Sequence, residues 1–138
     1  MRKMSRFYVA TSLARAAEAL EVASQMTARG FTLTHNWMAV DPAEDAADLK
    51  KAGENDAQGV KSADLLIVLL PCGLGAHVEF GIALALRTNI LLCYTADSDF
   101  LGPYNYKCAF HYNTGVIHLK YASKTEIITA AEKLLSIP

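Results

Sequence analysis

Glu79 is the residue whose type and surroundings best suit it to chemistry. It follows a continuous apolar run, residues 65–70, and a glycine-rich turn that contains Gly73 and Gly75. A helical pattern begins near Ala76 and would place Glu79 in the first turn of that helix, where the helix N-terminus helps to keep a carboxylate ionised. A carboxylate among small and apolar neighbours is a candidate functional group.

The segment around Glu79 has the pattern of a strand, a tight turn, a helix and a second strand. The second strand is the apolar run at residues 90–94. Such a unit is a right-handed crossover between parallel strands. Ligands of open parallel sheets bind beyond the carboxyl ends of the strands, and residues 73–79 lie at that edge.

The rest of the chain predicts three more strands and further helices. The strands are predicted at residues 7–10, 31–34 and 116–119. The first helix is predicted from Leu13 to a C-cap at Gly30. Asp41-Pro42 is a helix-start signal, and residues 41–48 are predicted to form a short helix or a mobile segment that Gly53 interrupts. Two further helices are predicted over 54–62 and 126–135. Residues 1–138 therefore predict one α/β domain, doubly wound and flavodoxin- or Rossmann-like, with a five-stranded parallel sheet of order 2-1-3-4-5 and helices on both faces.

This strand order would gather several side chains at one crevice. Its switch point lies between the first and third strands, so Tyr8 and Thr11 would face residues 73–79. Asp56, on the preceding helix, could reach the same crevice. Thr11 and Ser12 offer hydroxyls either to a phosphate or to the cap of the following helix.

Composition excludes several classes of function. The chain has 138 residues, 52% of them hydrophobic, and a net charge of −1, which argues against a partner made of nucleic acid. No apolar run reaches the roughly 18 residues of a membrane span, and the apolar part of the N-terminus is too short for a secretory signal. The three cysteines, Cys72, Cys93 and Cys108, show no metal-ligand spacing. We expect a cytoplasmic protein.

Three segments, FYVATS, NDAQGVKSADLLIVLL and GAHVEFGIALALRTNILLCY, together resemble the nucleoside 2-deoxyribosyltransferase family. That family also contains N-glycosidases that hydrolyse nucleoside monophosphates. The resemblance is clear to about Tyr94 and looser to Lys120. Its most specific motif is G-x-x-x-E-x-G-x-A, formed here by Gly75, Glu79, Gly81 and Ala83.

The resemblance implies three catalytic roles. Glu79 would be the nucleophile that traps the anomeric carbon of the sugar, Asp56 would give a proton to the leaving base, and Tyr8 would orient Glu79. Each residue also has an ordinary alternative. Glu79 could be a common acid in a first helical turn, Asp56 a solvated helix acid beside Glu54, and Tyr8 a half-buried strand tyrosine.

The resemblance also implies contacts to the substrate. Backbone amides at Gly73 and Gly75 could bind an oxygen or a phosphate, or form a plain tight turn. Trp37 could stack on a base or pack in an interface, and Asn105 falls near a family position that reaches a neighbouring subunit's site. Gly73 stands where transferases of the family carry an aspartate for the 5′-hydroxyl and where the monophosphate hydrolases can carry a serine, so the 5′ substituent is open.

Other residues carry weaker hypotheses. Asp64 is expected to be structural, His77 to be exposed, and Cys72 with a histidine is a poor thiol nucleophile because nothing orients the pair. The long loop at residues 95–114 is expected to be functional or interfacial. Its aromatic part, 100–110, is a plausible contact surface of a homo-oligomer.

The sequence thus predicts an enzyme that cleaves the N-glycosidic bond of a (deoxy)nucleoside or its monophosphate. The sugar would pass to a second base or to water, with no metal and no organic cofactor implied. One alternative is a nucleotide-binding or regulatory module that has lost turnover. A receiver or cofactor carrier is a weaker one, because residues 10–12 lack the clustered acids that a receiver needs.

Overall fold

The computed structural model describes residues 4–102 and 105–136 of the chain. Within these ranges, five strands and four α-helices alternate except between the last two strands, which a long loop connects. They are β1 (Arg6–Ala10), α1 (Ala16–Ala28), β2 (Thr32–Leu33), α2 (Ala46–Ser62), β3 (Leu65–Leu69), α3 (Leu74–Ala85), β4 (Asn89–Tyr94), β5 (Val116–Lys120) and α4 (Lys124–Leu135).

The strands form one parallel sheet of order β2-β1-β3-β4-β5, which confirms the predicted fold. Because β1 pairs with β2 on one side and with β3 on the other, the direction of the chain's progress reverses between β1 and β3. The connections that follow these two strands lead to helices on opposite faces of the sheet, which is where a crevice forms in this fold.

Alternation along β1 and β3 divides the core into two layers. Phe7 and Val9 of β1 lie in the layer that contains α1 and α4. Tyr8 and Ala10 lie in the layer that contains α2 and α3. All five residues of β3 are buried, as expected for a central parallel strand covered on both faces.

The middle of the chain forms one helix, α2, where two segments were expected. Gly53 does not interrupt it, and the helix begins at Ala46 instead of at Asp41-Pro42. The side chain of Asp45 accepts a hydrogen bond from the Asp48 amide and so caps the N-terminus. A glycine within a helix costs only about 1 kcal/mol, which the surrounding helix-forming residues offset.

Helix α3 begins earlier than expected, at Leu74, with Gly73 as its N-cap. Glu79 therefore lies in the second turn, and the expectation that it occupies the first turn was wrong. The helix terminus acts mainly within the first turn, so it does not account for the charge state of Glu79.

The long loop after β4 contains two short 3₁₀ helices, Asp97–Phe100 and Ala109–Tyr112. The expected contact surface at residues 100–110 falls partly outside the described residues, at 103 and 104. None of the helices in the described ranges combines the length and apolar character that crossing a membrane requires.

Candidate active site

The structure brings Tyr8 and Glu79 into direct contact. The Tyr8 hydroxyl, at the centre of β1, donates a hydrogen bond to Oε2 of Glu79 on α3. Tyr8 is fully buried and Glu79 is 9% exposed. The predicted convergence of these two side chains therefore exists, whereas the catalytic role of each remains a prediction.

Burial sets the charge state of Glu79. It raises the pKa of this carboxyl to about 7, against the opposing effect of the hydrogen bond from Tyr8, and the nearby Asp56 raises it further. The expectation that the helix N-terminus helps to keep Glu79 ionised rested on a first-turn position, and the carboxyl is instead desolvated and lies in the second turn. Burial and the neighbouring Glu79 also raise the pKa of Tyr8, so its hydroxyl stays a hydrogen-bond donor.

Asp56 lies on α2 beside this pair, with 32% of its side chain exposed. Its Oδ1 is 3.3 Å from Nε2 of His35. Burial raises the pKa of Asp56, and the charge of His35 acts in the opposite direction. Two carboxyl groups with raised pKa values thus lie close enough to influence each other, which suits acid–base chemistry.

Gly59 is a site residue that the sequence did not suggest. A Cβ added there would lie 2.8 Å from Cβ of His35 and 3.0 Å from the Tyr8 ring, so the glycine lets α2 approach both side chains. The Gly59 carbonyl accepts a hydrogen bond from Thr34 Oγ1 at 2.7 Å. A glycine inside a helix and away from its ends was the signal available for it.

Of the hydroxyl and indole groups predicted to contact a substrate, those of Thr11 and Trp37 donate hydrogen bonds within the protein. Thr11 is buried and its Oγ1 donates to the Leu69 carbonyl at 2.8 Å. Ser12 is half-buried and forms no capping hydrogen bond with its side chain. The Trp37 indole N–H donates to the Val9 carbonyl at 2.7 Å, and its ring packs against both core layers, which favours the packing alternative.

Gly73 and Gly75 have open space on the side where a Cβ would lie, with no atom within 4 Å. Neither glycine is therefore required by packing within the described chain, which leaves room for a ligand. Asn105 is exposed, has a left-handed backbone (φ 58°) and makes no hydrogen bond with Tyr8, Asp56 or Glu79. The structure therefore shows no hydrogen bond that links Asn105 to these three residues.

Arg15 is a cation at the same sheet edge that the sequence reading missed. Its Nη1 donates to the Leu70 carbonyl at 2.5 Å, next to the carboxyl end of β3. Its Nη2 pairs with Glu18 at 2.5 Å, and 17% of the side chain is exposed. Its position in the 3₁₀ turn just after β1 was the available signal.

The weaker hypotheses have mixed outcomes. Asp64 Oδ2 accepts hydrogen bonds from the Ser5 and Arg6 amides, each at 3.0 Å, which is a structural role. Burial raises the pKa of the Cys72 thiol to about 12, so it is no nucleophile at neutral pH. His77 is half-buried and not exposed as expected.

A cavity of about 320 Å³ lies between the start of α3 and the loop after β4. Gly73, His77, Phe100 and His111 are among its lining residues, and Tyr8, Asp56 and Glu79 are not. Glu79 is therefore buried and does not open into this cavity, whereas Asp56 is partly exposed. Burial lowers the pKa of His111 to about 4, so its imidazole is neutral at physiological pH.

The order of the sheet, with helices on both faces, places the chain in the doubly wound α/β class. Solved structures of this fold include the CMP N-glycosidase BcmB of Clostridium botulinum, with 18% identity and a TM-score of 0.57 over 94% of this chain and 99% of that chain. BlsM has 15% identity and a TM-score of 0.65 over 99% of this chain and 92% of that chain.

A conserved protein from Enterococcus faecalis V583 has 16% identity and a TM-score of 0.56, over 94% of this chain and 98% of that chain. No protein-family model matches the chain, and no curated protein matches it. At these identities the likeness shows the fold. The neighbours are consistent with the nucleoside 2-deoxyribosyltransferase-like family that the sequence resembles.

Proposed function

We propose that the protein cleaves the N-glycosidic bond of a nucleoside or nucleoside monophosphate. The observation that carries this proposal is the buried Glu79 carboxyl, held by the Tyr8 hydroxyl and close enough to Asp56 for the two acids to interact. The CMP N-glycosidase among the structural neighbours, and the resemblance in sequence, support the same class of reaction.

In the proposed reaction, an ionised Glu79 attacks the anomeric carbon as the bond to the base breaks. Tyr8 holds Oε2, which leaves Oε1 as the attacking atom. Asp56, whose side chain is 32% exposed, passes a proton from solvent to the departing base. Water or a second base then attacks the same carbon and gives up a proton to the Asp56 carboxylate, the glycosyl ester breaks, and Glu79 is released as a carboxylate.

The test is a panel of deoxynucleosides, ribonucleosides and their 5′-monophosphates, with free base followed by chromatography. We expect Glu79→Ala to lower base release by at least about 10³-fold, as for other lost nucleophiles. Asp56→Asn should lower it by about 10²–10⁴-fold, as for a lost general acid. Glu54→Ala, an exposed acid on the same helix, is the matched control and should keep full activity. Equal base release by wild type and Glu79→Ala would remove the proposal.

Gly73 has no side chain that could select between a 5′-hydroxyl and a 5′-phosphate, but the position of Arg15 supports the phosphate. Its guanidinium and the first amides of α3 lie at the same sheet edge. We expect Arg15→Ala to raise KM for monophosphates by at least about 10-fold with little change for free nucleosides. Equal losses for both substrates would instead indicate a general structural role of Arg15.

Transfer and hydrolysis differ in the second step and are separated by an added acceptor base. A new nucleoside would indicate transfer, and free sugar alone would indicate hydrolysis.

A nucleotide-binding module without turnover is the second candidate. Two observations favour it: Glu79 is only 9% exposed, and it does not line the cavity beside Gly73. Tight binding of a nucleotide with no base release over hours, at enzyme concentrations comparable to the substrate, would establish this alternative.

A further inference from the structure

Two histidines and a cysteine from separate parts of the chain converge beside the cavity. His77 lies in the first turn of α3, Cys108 precedes the second 3₁₀ helix of the long loop, and His111 lies within it. One ligand atom from each of the three lies within 4.8 Å of the others. We propose that His77, Cys108 and His111 bind one divalent transition-metal ion of the zinc class.

The tautomer of His77 supports this site. Its Nδ1 lies 2.8 Å from the Gly73 carbonyl oxygen, which can only accept, so Nδ1 carries the proton. Nε2 therefore presents its lone pair, as in metal-binding histidines whose other nitrogen donates to a backbone carbonyl.

His111 completes the pair of nitrogen ligands. Its Nε2 is 3.0 Å from the Nε2 of His77, a separation close to that between two nitrogens on one tetrahedral ion. Its Nδ1 is buried without a hydrogen-bond partner among the described residues, and because Nε2 of His77 accepts, the proton of this imidazole lies on Nε2. A metal can replace the proton between the two Nε2 atoms while Nδ1 takes that proton.

Cys108 supplies the third ligand and indicates the metal class. Two imidazoles and one thiolate suit zinc and its spectroscopic substitute cobalt, and the thiol releases its proton to solvent as the metal–sulfur bond forms. All three residues line the cavity of about 320 Å³, which leaves a fourth position for water or an external ligand. The spacing Cys-x-x-His at 108–111 was a sequence signal that the cysteine count alone did not reveal.

The test is a titration of the purified full chain, first stripped with a chelator, with Co²⁺. We expect one Co²⁺ per chain, a thiolate-to-cobalt charge-transfer band, and displacement of Co²⁺ by Zn²⁺. Cys108→Ser should abolish the band. His77→Gln should weaken Co²⁺ binding by at least about 10-fold, since even the loss of an outer-shell partner costs that much. Cys93→Ala removes a buried thiol in the core layer of α1 and α4, and it should leave the charge-transfer band and the Co²⁺ affinity unchanged.

A second measurement does not depend on the spectrum. At a Zn²⁺ concentration 100 times its Kd, the ratio of folded to unfolded protein should rise by about 100-fold in wild type and not in Cys108→Ser. The site is rejected if folded wild type shows no saturable Co²⁺ binding, or if the band survives Cys108→Ser and disappears with Cys72→Ser. Circular dichroism of each variant establishes that it is folded.

Discussion

The buried position of Glu79 lowers the free energy of unfolding when its carboxyl is ionised. Its pKa of about 7, against an ordinary value of 4.5, means that the folded state holds a proton that the unfolded state has lost between these two pH values. Stability from this group is therefore lost as pH rises from 4.5 to 7, and the loss above pH 7 is on the order of 3 kcal/mol. Functional residues commonly carry such a cost.

The first residue-scale prediction concerns the stability of Glu79→Gln. The amide keeps an acceptor for the Tyr8 hydroxyl and has no charge to desolvate. We expect the variant to be more stable than wild type at pH 8.5 by roughly 1–3 kcal/mol, and nearly equal to it at pH 4.5, where wild-type Glu79 is protonated. Urea unfolding at the two pH values measures this, and a difference independent of pH would contradict it.

The second prediction concerns the pH dependence of activity and rests on the proposed function. Because the nucleophile must be ionised, kcat/KM should rise with pH through an apparent pKa of about 7 that belongs to the coupled Glu79–Asp56 pair. Tyr8→Phe removes the hydrogen bond that lowers the pKa of Glu79, so the rising limb of the pH–rate profile should move to higher pH. Tyr112→Phe, at an exposed ring, is the control. An unmoved limb in Tyr8→Phe would contradict the positioning role.

At the scale of elements, α2 determines how closely Asp56 approaches the Tyr8–Glu79 pair. The helix carries two interior glycines with opposite surroundings. A Cβ added at Gly59 would lie 2.8 Å from Cβ of His35 and 3.0 Å from the Tyr8 ring. Gly53 is exposed, and no atom lies within 4 Å of a Cβ added there. One glycine is needed for close packing and the other is not.

The element-scale prediction therefore compares two alanine substitutions on one helix. Gly59→Ala should destabilise the protein by about 1–3 kcal/mol, because Cβ of His35 and the Tyr8 ring leave no room for a methyl group. Gly53→Ala should stabilise it by about 0.5–1 kcal/mol through helix propensity. Denaturant unfolding measures both, and equal effects would contradict the close approach at Gly59.

At the scale of the whole molecule, the loop after β4 exposes several large aromatic side chains. Tyr106 is 72% exposed, Phe110 61% and Tyr112 53%. Exposed apolar groups gathered on one loop commonly mark an interface. A contact between copies of the chain would cover this surface and bring residues of the loop, including Asn105, towards a neighbour.

The whole-molecule prediction is that the chain forms a homo-oligomer through this loop. The double variant Tyr106→Ser, Phe110→Ser should shift the species seen by analytical ultracentrifugation to a smaller mass. Leu49→Ser, at a 54% exposed position on α2, is the control and should not. A wild-type monomer at all concentrations would contradict the prediction.

Much of the fold was predictable because local patterns specify it. The run at β3 is apolar throughout, as a strand covered on both faces must be, and the alternation with helices left one common order for the sheet. That order brings the carboxyl end of β1 beside the start of α3, and the family resemblance singled out Tyr8 and Glu79 there. The boundaries of α2 and α3 were less predictable, because the cap residues Asp45 and Gly73 compete with other start signals nearby.

The sequence by itself determined the parallel sheet and its two layers of helices, since periodicity and connectivity are encoded in short stretches of chain, and the family resemblance added the expected contact of Tyr8 with Glu79. Only the tertiary structure decided the protonation of Glu79, the need for glycine at 59 and the convergence of His77 with Cys108 and His111. Desolvation, close contact and ligand geometry depend on neighbours far apart in the sequence, and no local pattern contains their distances.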